Sequence, residues 1–166
     1  MTGQDGERLL HPFPALCAPD SRLLILGSFP SPKSREARFF YGHPQNRFWR
    51  VVSAVLGVPT PLSIEDKRAM LLQSGIALWD VLASCVIVGA ADSSIREETP
   101  NDLAGLLAGT QIRRVFCNGD ASYRLYTRYC ASACGMDATR LPSTSPANAA
   151  WSFERLCEAW RVIVTA

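Results

Sequence analysis

The sequence predicts an α/β domain built on a mostly parallel sheet covered on both faces. Short apolar runs alternate with segments of helical period, as a sheet wrapped by helices requires. The apolar runs end in small polar residues, the mark of buried strands entering turns. The 166 residues, 48% hydrophobic and 19% charged, suffice for one core and lie far from the composition of a disordered chain. No repeat or linker divides the chain, so 1–166 is read as one domain, with 1–20 as an N-terminal extended segment.

The first strand is read at Arg22–Leu26 (RLLIL), running into Gly27-Ser28. Phe48, Trp49, Val52, Val55 and Leu56 recur at helical spacing over Asn46–Leu56, with Asn46 placed to cap the helix. Ser63–Gln73 is a second helix, opened by Ser63 with Asp66 three residues on and closed by Gly75. Further along, strands are expected at Ile76–Val81, Arg113–Cys117 and Ala138–Leu141. The helices between and after them are Leu103–Leu107, Ala121–Ala133 and Ser152–Val162. In parallel sheets the ligand sits at the carboxyl ends of the strands. That rule directs attention to Gly27–Ser31, Asp80–Cys85, Asn118–Asp120 and Pro142–Asn148, all rich in small polar residues.

Charge and cysteine content narrow the classes. Seventeen basic against fifteen acidic residues give a net charge of +2 and a pI near 8.3, which permits a nucleic-acid partner without requiring one. No apolar stretch approaches the ~20 residues of a bilayer span. MTGQDGERLL has no apolar h-region of a secretory signal, so cytoplasm is the default expectation. The six cysteines contain no CxxC pair, and buried free thiols are expected rather than a metal or cluster site.

Two segments carry the chemistry. GSFPSPKS (Gly27–Ser34) followed by FYGHPQNRFW (Phe40–Trp49) places a stiff loop, aromatic rings, a histidine and an amide together. It is not a P-loop, since no Gly-Lys-Ser/Thr follows. Flat rings beside amides suit a planar heterocycle that is stacked upon and read at its edge. A plainer reading makes Phe40, Phe48 and Trp49 core aromatics and Asn46 a cap. The second segment, LPSTSPANAAW (Leu141–Trp151), is a strand end and hydroxyl-rich loop. Its hydroxyls and N–H groups suit phosphate oxygens, or a self-capped turn.

Gly27–Ser31, Tyr41–Trp49 and Leu141–Asn148 resemble the two signature motifs of the uracil-DNA glycosylase superfamily. The forms GSFPS…YGHPQNRFW and LPSTSPANA are most similar to the branch that includes hypoxanthine-DNA (deoxyinosine) glycosylases. The resemblance implies a three-layer α/β/α sandwich around a central four-stranded parallel sheet. It also implies monofunctional, metal-free and cofactor-free hydrolysis of an N-glycosidic bond in DNA after base flipping, in base-excision repair. Hypoxanthine is the expected base, ahead of xanthine or uracil. DNA carrying a deaminated base is the implied partner, with action as a monomer associated with the nucleoid.

Departures from other branches are informative. Phe29 stands where mismatch-specific uracil enzymes have a catalytic Asn, and no carboxylate lies between Gly27 and Ser34. Ser143 stands where classical uracil enzymes place a histidine, and the fourfold cysteine set of the iron–sulfur branch is missing. The usual acid–base equipment is absent. Asn46 is the substitute catalytic amide that the resemblance implies, its oxygen accepting from a water. His43 donates to the leaving base or a phosphate, or else packs the loop.

Tyr41 aligns with the ring that stacks on the flipped base. Asp80 falls where uracil-reading relatives carry Asn; it reads N1–H of hypoxanthine, or caps a loop or pairs with an arginine. The donor for O6 is sought in the backbone near Phe29 or the amide of Asn118. Ser143, Thr144 and Ser145 grip phosphates, Ser28 and Ser31 hold another, and Pro146, Ala147 and Asn148 form the wedge. Arg47, Arg96, Arg124 and Arg140 add longer-range attraction. Asp92-Ser93-Ser94 lines the groove. The alternatives are a catalytically weak DNA-damage binding module and, less well supported, a small-molecule hydrolase using Ser143–Ser145, which lacks a GxSxG elbow.

Overall fold

A computed structural model describes residues 7–89 and 91–165. The strands β2 (Leu23–Gly27), β3 (Ile76–Asp80), β6 (Arg114–Asn118) and β7 (Ala138–Leu141) form a four-stranded sheet in the order β3-β2-β6-β7, every pair parallel. All four therefore end on one edge. Gly27 pairs with Asp80 there, and Asn118 pairs with Leu141.

Successive residues of a strand face opposite ways, and the two faces are packed by different helices. Leu23, Ile25, Ile76, Leu78 and Phe116 join Phe48, Trp49 and Val52 of α2 (Phe48–Leu56), Leu71 of α3 (Ile64–Gln73), and Leu156 and Trp160 of α7 (Phe153–Trp160). Leu24, Leu26, Ala77, Val115 and Cys117 join Leu103 of α4 (Leu103–Ala108) and Leu125 and Tyr126 of α5 (Asp120–Tyr129). The three-layer α/β/α architecture follows from that alternation.

Differences from the sequence reading lie at the margins of this frame. A second sheet, β1-β4-β5, is antiparallel and joins Glu7–Leu10, Leu82–Ile87 and Arg96–Pro100. Part of the expected loop Asp80–Cys85 is thus strand, and residues 7–10 of the expected extended segment are strand too; residues 1–6 lie outside the described residues. The stiff loop after β2 contains a short helix, α1 (Pro32–Ala37), capped by Ser31, whose Oγ accepts from Ser34 N–H, with proline at its start. Ala121–Ala133 breaks at Cys130 into α5 and α6 (Ala131–Cys134). Helix α2 starts at Phe48, later than expected, yet the Asn46 side chain still serves it. Among the described residues, no helix is long and apolar enough to cross a membrane.

Candidate active site

The parallel strand ends open into a cavity of about 290 Å³, near the ~300 Å³ lower bound of small-molecule sites. It is lined by Gly27–Ser31, Phe40, Tyr41, His43, Asn46, Asp80, Asp92, Asn118 and Ser143–Ala147. The two sequence segments, about a hundred residues apart, thus face each other across one cleft. An adjoining groove runs along Gly119, Asp120, Arg140 and the Leu141–Ser143 strand end to Asn148.

Asn46 sits on the cleft wall with its carbonyl oxygen filled. Oδ1 accepts from Phe48 N–H at 2.9 Å and from the Thr144 hydroxyl at 2.8 Å. A backbone N–H can only donate, so Oδ1 and Nδ2 are unambiguously assigned. The expected use of the oxygen on a water is therefore corrected: both lone pairs are spent, and Nδ2 is the group without a protein partner among the described residues. Thr144 is fully buried. Its hydroxyl accepts from Asn118 Nδ2 at 3.0 Å, and its N–H donates to Asn118 Oδ1 at 3.0 Å. The phosphate contact expected of Thr144 does not fit this position; the residue aligns Asn46. Asn118 is likewise drawn into that clamp, and its amide also faces the Tyr41 hydroxyl.

The cavity floor carries an acceptor beside a donor. Asp80, buried, accepts at Oδ2 from His11 Nε2–H at 2.7 Å. The His11 Nδ1 accepts from Phe13 N–H at 3.5 Å, which places the ring proton on Nε2. Asp80 Oδ1 lies over Gly27, where a side-chain Cβ would come within 2.4 Å of it, so the residue there must be glycine. The Tyr41 hydroxyl approaches the same point at 3.4 Å and is buried without a close hydrogen-bond partner among the described residues. Burial first, then the Asp80 charge, push its phenol well above the ordinary tyrosine value. Tyr41 stacks one face on Phe48, with centroids 4.0 Å apart and planes within 15°. It holds a left-handed backbone, φ +51°, a strain that persists where surrounding structure enforces it. Phe29, buried, lines the cavity and meets His11 edge-on at 6.0 Å.

The remaining residues divide. His43 Nδ1 accepts from Gln45 N–H at 3.1 Å, which leaves Nε2–H as its donor. Ser28 is buried and donates to Asp92 Oδ1 at 2.8 Å; Ser31 caps α1 and donates to Ser34. Neither hydroxyl is free for the phosphate expected of it. Ser143 and Ser145 accept from Ser145 and Ala147 N–H at 3.1 Å each and retain their own O–H. The hydroxyls of Ser143 and Ser145 are thus free for phosphate, while the N–H groups of Thr144, Ser145, Ala147 and Asn148 are held within the fold. Pro146 and Ala147 are exposed at the loop crest, whereas Asn148 donates to Ser143 O and closes the loop from within.

Arg47, expected to attract DNA, binds the loop instead. It donates to the carbonyls of Ser145 at 3.2 Å, Asn148 at 3.0 Å and Trp151. Arg140 pairs with Asp120 at 3.3 Å. The cleft is also richer in ionisable groups than the motifs suggested. Asp80 and Asp92 both line it, and burial raises the Asp92 carboxyl above its ordinary range, countered by the Ser28 hydrogen bond. The sequence reading missed His11; its position in a histidine–proline–aromatic run, as one of two histidines, was the available signal. All six cysteines are free thiols, and burial pushes Cys85 and Cys130 to about 11 and Cys117 to about 12.

Comparison with known proteins is consistent with this geometry. The family model of the uracil DNA glycosylase superfamily matches residues 14–164. A protein named hypoxanthine DNA glycosylase from Methanosarcina acetivorans is 34% identical over 152 residues, 91% of this chain and 95% of that one. One of the same name from Methanosarcina barkeri is 31% identical, over 82% of this chain and 86% of its own. The solution NMR structure of a Methanosarcina acetivorans protein, provisionally described as a uracil DNA glycosylase, superposes with a TM-score of 0.78 at 34% identity. That match covers 91% of this chain and 93% of the other.

Proposed function

The chain belongs to the uracil DNA glycosylase superfamily, and from that premise we propose that this DNA glycosylase releases hypoxanthine from DNA ahead of xanthine or uracil, acting as a single-domain monomer. The observation that carries the choice of a deaminated base over adenine is the cavity floor, where a fixed carboxylate acceptor stands beside a buried hydroxyl donor. Xanthine and uracil present the same N–H beside a carbonyl, so the order among the three rests on the names of the relatives. Hypoxanthine presents N1–H and O6, which Asp80 Oδ1 and the Tyr41 hydroxyl complement. Adenine presents the reverse pattern and would set its N1 lone pair against the carboxylate. Rejection by an unpaired buried polar group is far stronger than rejection by shape. This pairing replaces the donor sought near Phe29 or at Asn118. The names of the Methanosarcina relatives support the same base.

In this reading the flipped nucleotide lies with its base in the cavity, its edge toward the Tyr41 hydroxyl and Asp80 and its ring beside Phe29, so Tyr41 reads the edge rather than stacking on the base. Ser143 and Ser145 hold its flanking phosphates, while Pro146 and Ala147 fill the vacated stack. As the C1′–N bond stretches, the sugar gains positive charge and the base negative charge. Asn46, its oxygen locked, presents Nδ2–H to one lone pair of a water and leaves the other facing C1′. His43 Nε2–H donates toward the departing base. Single-turnover assays on duplexes carrying one deoxyinosine, deoxyxanthosine or deoxyuridine, read as alkali-labile sites, test it. Hypoxanthine should leave fastest, and Asn46→Ala should slow release about 10²–10³-fold. Tight binding with no release from any lesion would favour a damage-binding module instead.

A further inference from the structure

The hydrolytic water needs somewhere to send its proton, and Asn46 cannot take it: a neutral amide with a filled oxygen is no base. The position of the reacting bond limits which group can take that proton. With the base in the cavity and the phosphates along the groove, C1′ sits where the two meet. Four residues line both spaces: Asp92, Ser143, Ser145 and Ala147. Asp92 alone among them is ionisable below neutral pH. It comes from the turn between β4 and β5, outside both motifs, yet it hangs over the first: Ser28, beside Phe29, donates to its Oδ1 at 2.8 Å. The other cavity carboxylate, Asp80, is committed at Oδ2 to His11 on the floor.

We propose that Asp92 is the general base of the reaction, supplied by the β4–β5 turn in place of the carboxylate missing from the first motif. This rests on the glycosylase reading above. Asp92 Oδ2, left open by the Ser28 bond, accepts one proton of the water held by Asn46. The water oxygen bonds to C1′, the C1′–N bond breaks with its electron pair leaving on the base, and the base anion, hydrogen-bonded by His43 Nε2–H, takes its proton from solvent. The Asp92 proton returns to solvent, so the products are the neutral base and an abasic sugar. The negative charge also stabilises the cationic sugar as it forms.

A base works only when ionised, so release should rise with pH through the Asp92 titration. The charged and titratable groups facing it are Asp80 on β3, Cys85 on β4, Arg124 on α5, and Tyr41 and His43 across the cleft. Burial and Asp80 hold that titration above the ordinary carboxylate range; Ser28 and Arg124 oppose them.

The test is single-turnover release from a deoxyinosine duplex between pH 4.5 and 9 (roughly the span of carboxyl and histidine titrations), with wild type, Asp92→Asn and Ser28→Ala. Binding of a duplex bearing 2′-fluoro-deoxyinosine, which resists cleavage, is measured alongside. Asp92→Asn should lose about 10²-fold or more in rate, lose the acidic limb, and bind the fluorinated duplex about as tightly as wild type. Ser28→Ala, which keeps the carboxylate but removes its hydrogen bond, should move the limb to higher pH. Asp92→Asn releasing base at nearly the wild-type rate, or keeping the acidic limb, overturns the proposal. So does a Ser28→Ala limb that stays in place. Wild type inert on all three lesions would sink the glycosylase reading and this inference with it; an active wild type beside an equally active Asp92→Asn sinks this inference alone.

Discussion

Tyr41 concentrates the conflict between stability and function. Its hydroxyl is buried without a close partner among the described residues and its backbone is left-handed, both costs that a purely structural tyrosine would have no reason to keep. A buried unpaired polar group costs about 1–3 kcal/mol. Tyr41→Phe keeps the ring on Phe48 and removes only the orphan. The variant should therefore melt higher than wild type, by an amount corresponding to about 1 kcal/mol, while releasing hypoxanthine roughly tenfold more slowly. Thermal denaturation of the free protein and single-turnover release read the two effects separately. A variant with lower stability would mean the hydroxyl has a partner in the folded protein.

At the scale of elements, the loop Ser143–Asn148 owes its shape to a residue in the other motif. Arg47 reaches two of its carbonyls, and that of Trp151 just beyond it, with one guanidinium fork, and its own N–H donates to Thr144 O at 3.0 Å. Hydrogen bonds from a charged donor contribute about 1.5–3 kcal/mol each, and a lysine cannot reproduce the fork. Arg47→Lys should destabilise the protein by about 2–3 kcal/mol in chemical denaturation and slow release, with DNA charge attraction intact. Unchanged stability would return Arg47 to the DNA-facing role its sequence position suggested.

The strands buried on both faces were legible because they read as unbroken apolar runs, as LLILG and IALWD do, whereas the edge strand ATRL is half exposed and marked only by the motif that follows it. The second sheet was not: β5 is the charged, largely exposed REETP, and β4 follows β3 after Val81 alone. Asn46 and the serine loop were legible from motif resemblance. The pairs His11–Asp80 and Ser28–Asp92, 69 and 64 residues apart, leave no periodic trace, because only the folded chain brings them together.

For the whole molecule, the distribution of charge sets how it meets DNA. A net charge of +2 is small, and two of the arginines expected to attract DNA are already engaged, Arg47 with loop carbonyls and Arg140 with Asp120. Phosphates held by the hydroxyls of Ser143 and Ser145 release no counterions as phosphates neutralised by lysine or arginine do. Each of the latter adds about −0.9 to the slope of log K against log salt. Binding to undamaged duplex should therefore be weak and shallow in salt, with a slope no steeper than about −3, corresponding to roughly three neutralised phosphates. Ser143→Ala and Ser145→Ala should weaken binding to every sequence alike, since phosphates carry no base information, and leave that slope unchanged. Fluorescence anisotropy titrations at several salt concentrations measure both quantities. A steep slope would mean a cationic track elsewhere on the surface carries the DNA. The shallow slope assigns recognition to the cavity: a protein with little general hold on the duplex must draw its preference for a lesion from the base it flips, so affinity for a deoxyinosine duplex should exceed that for the undamaged one at every salt concentration tested.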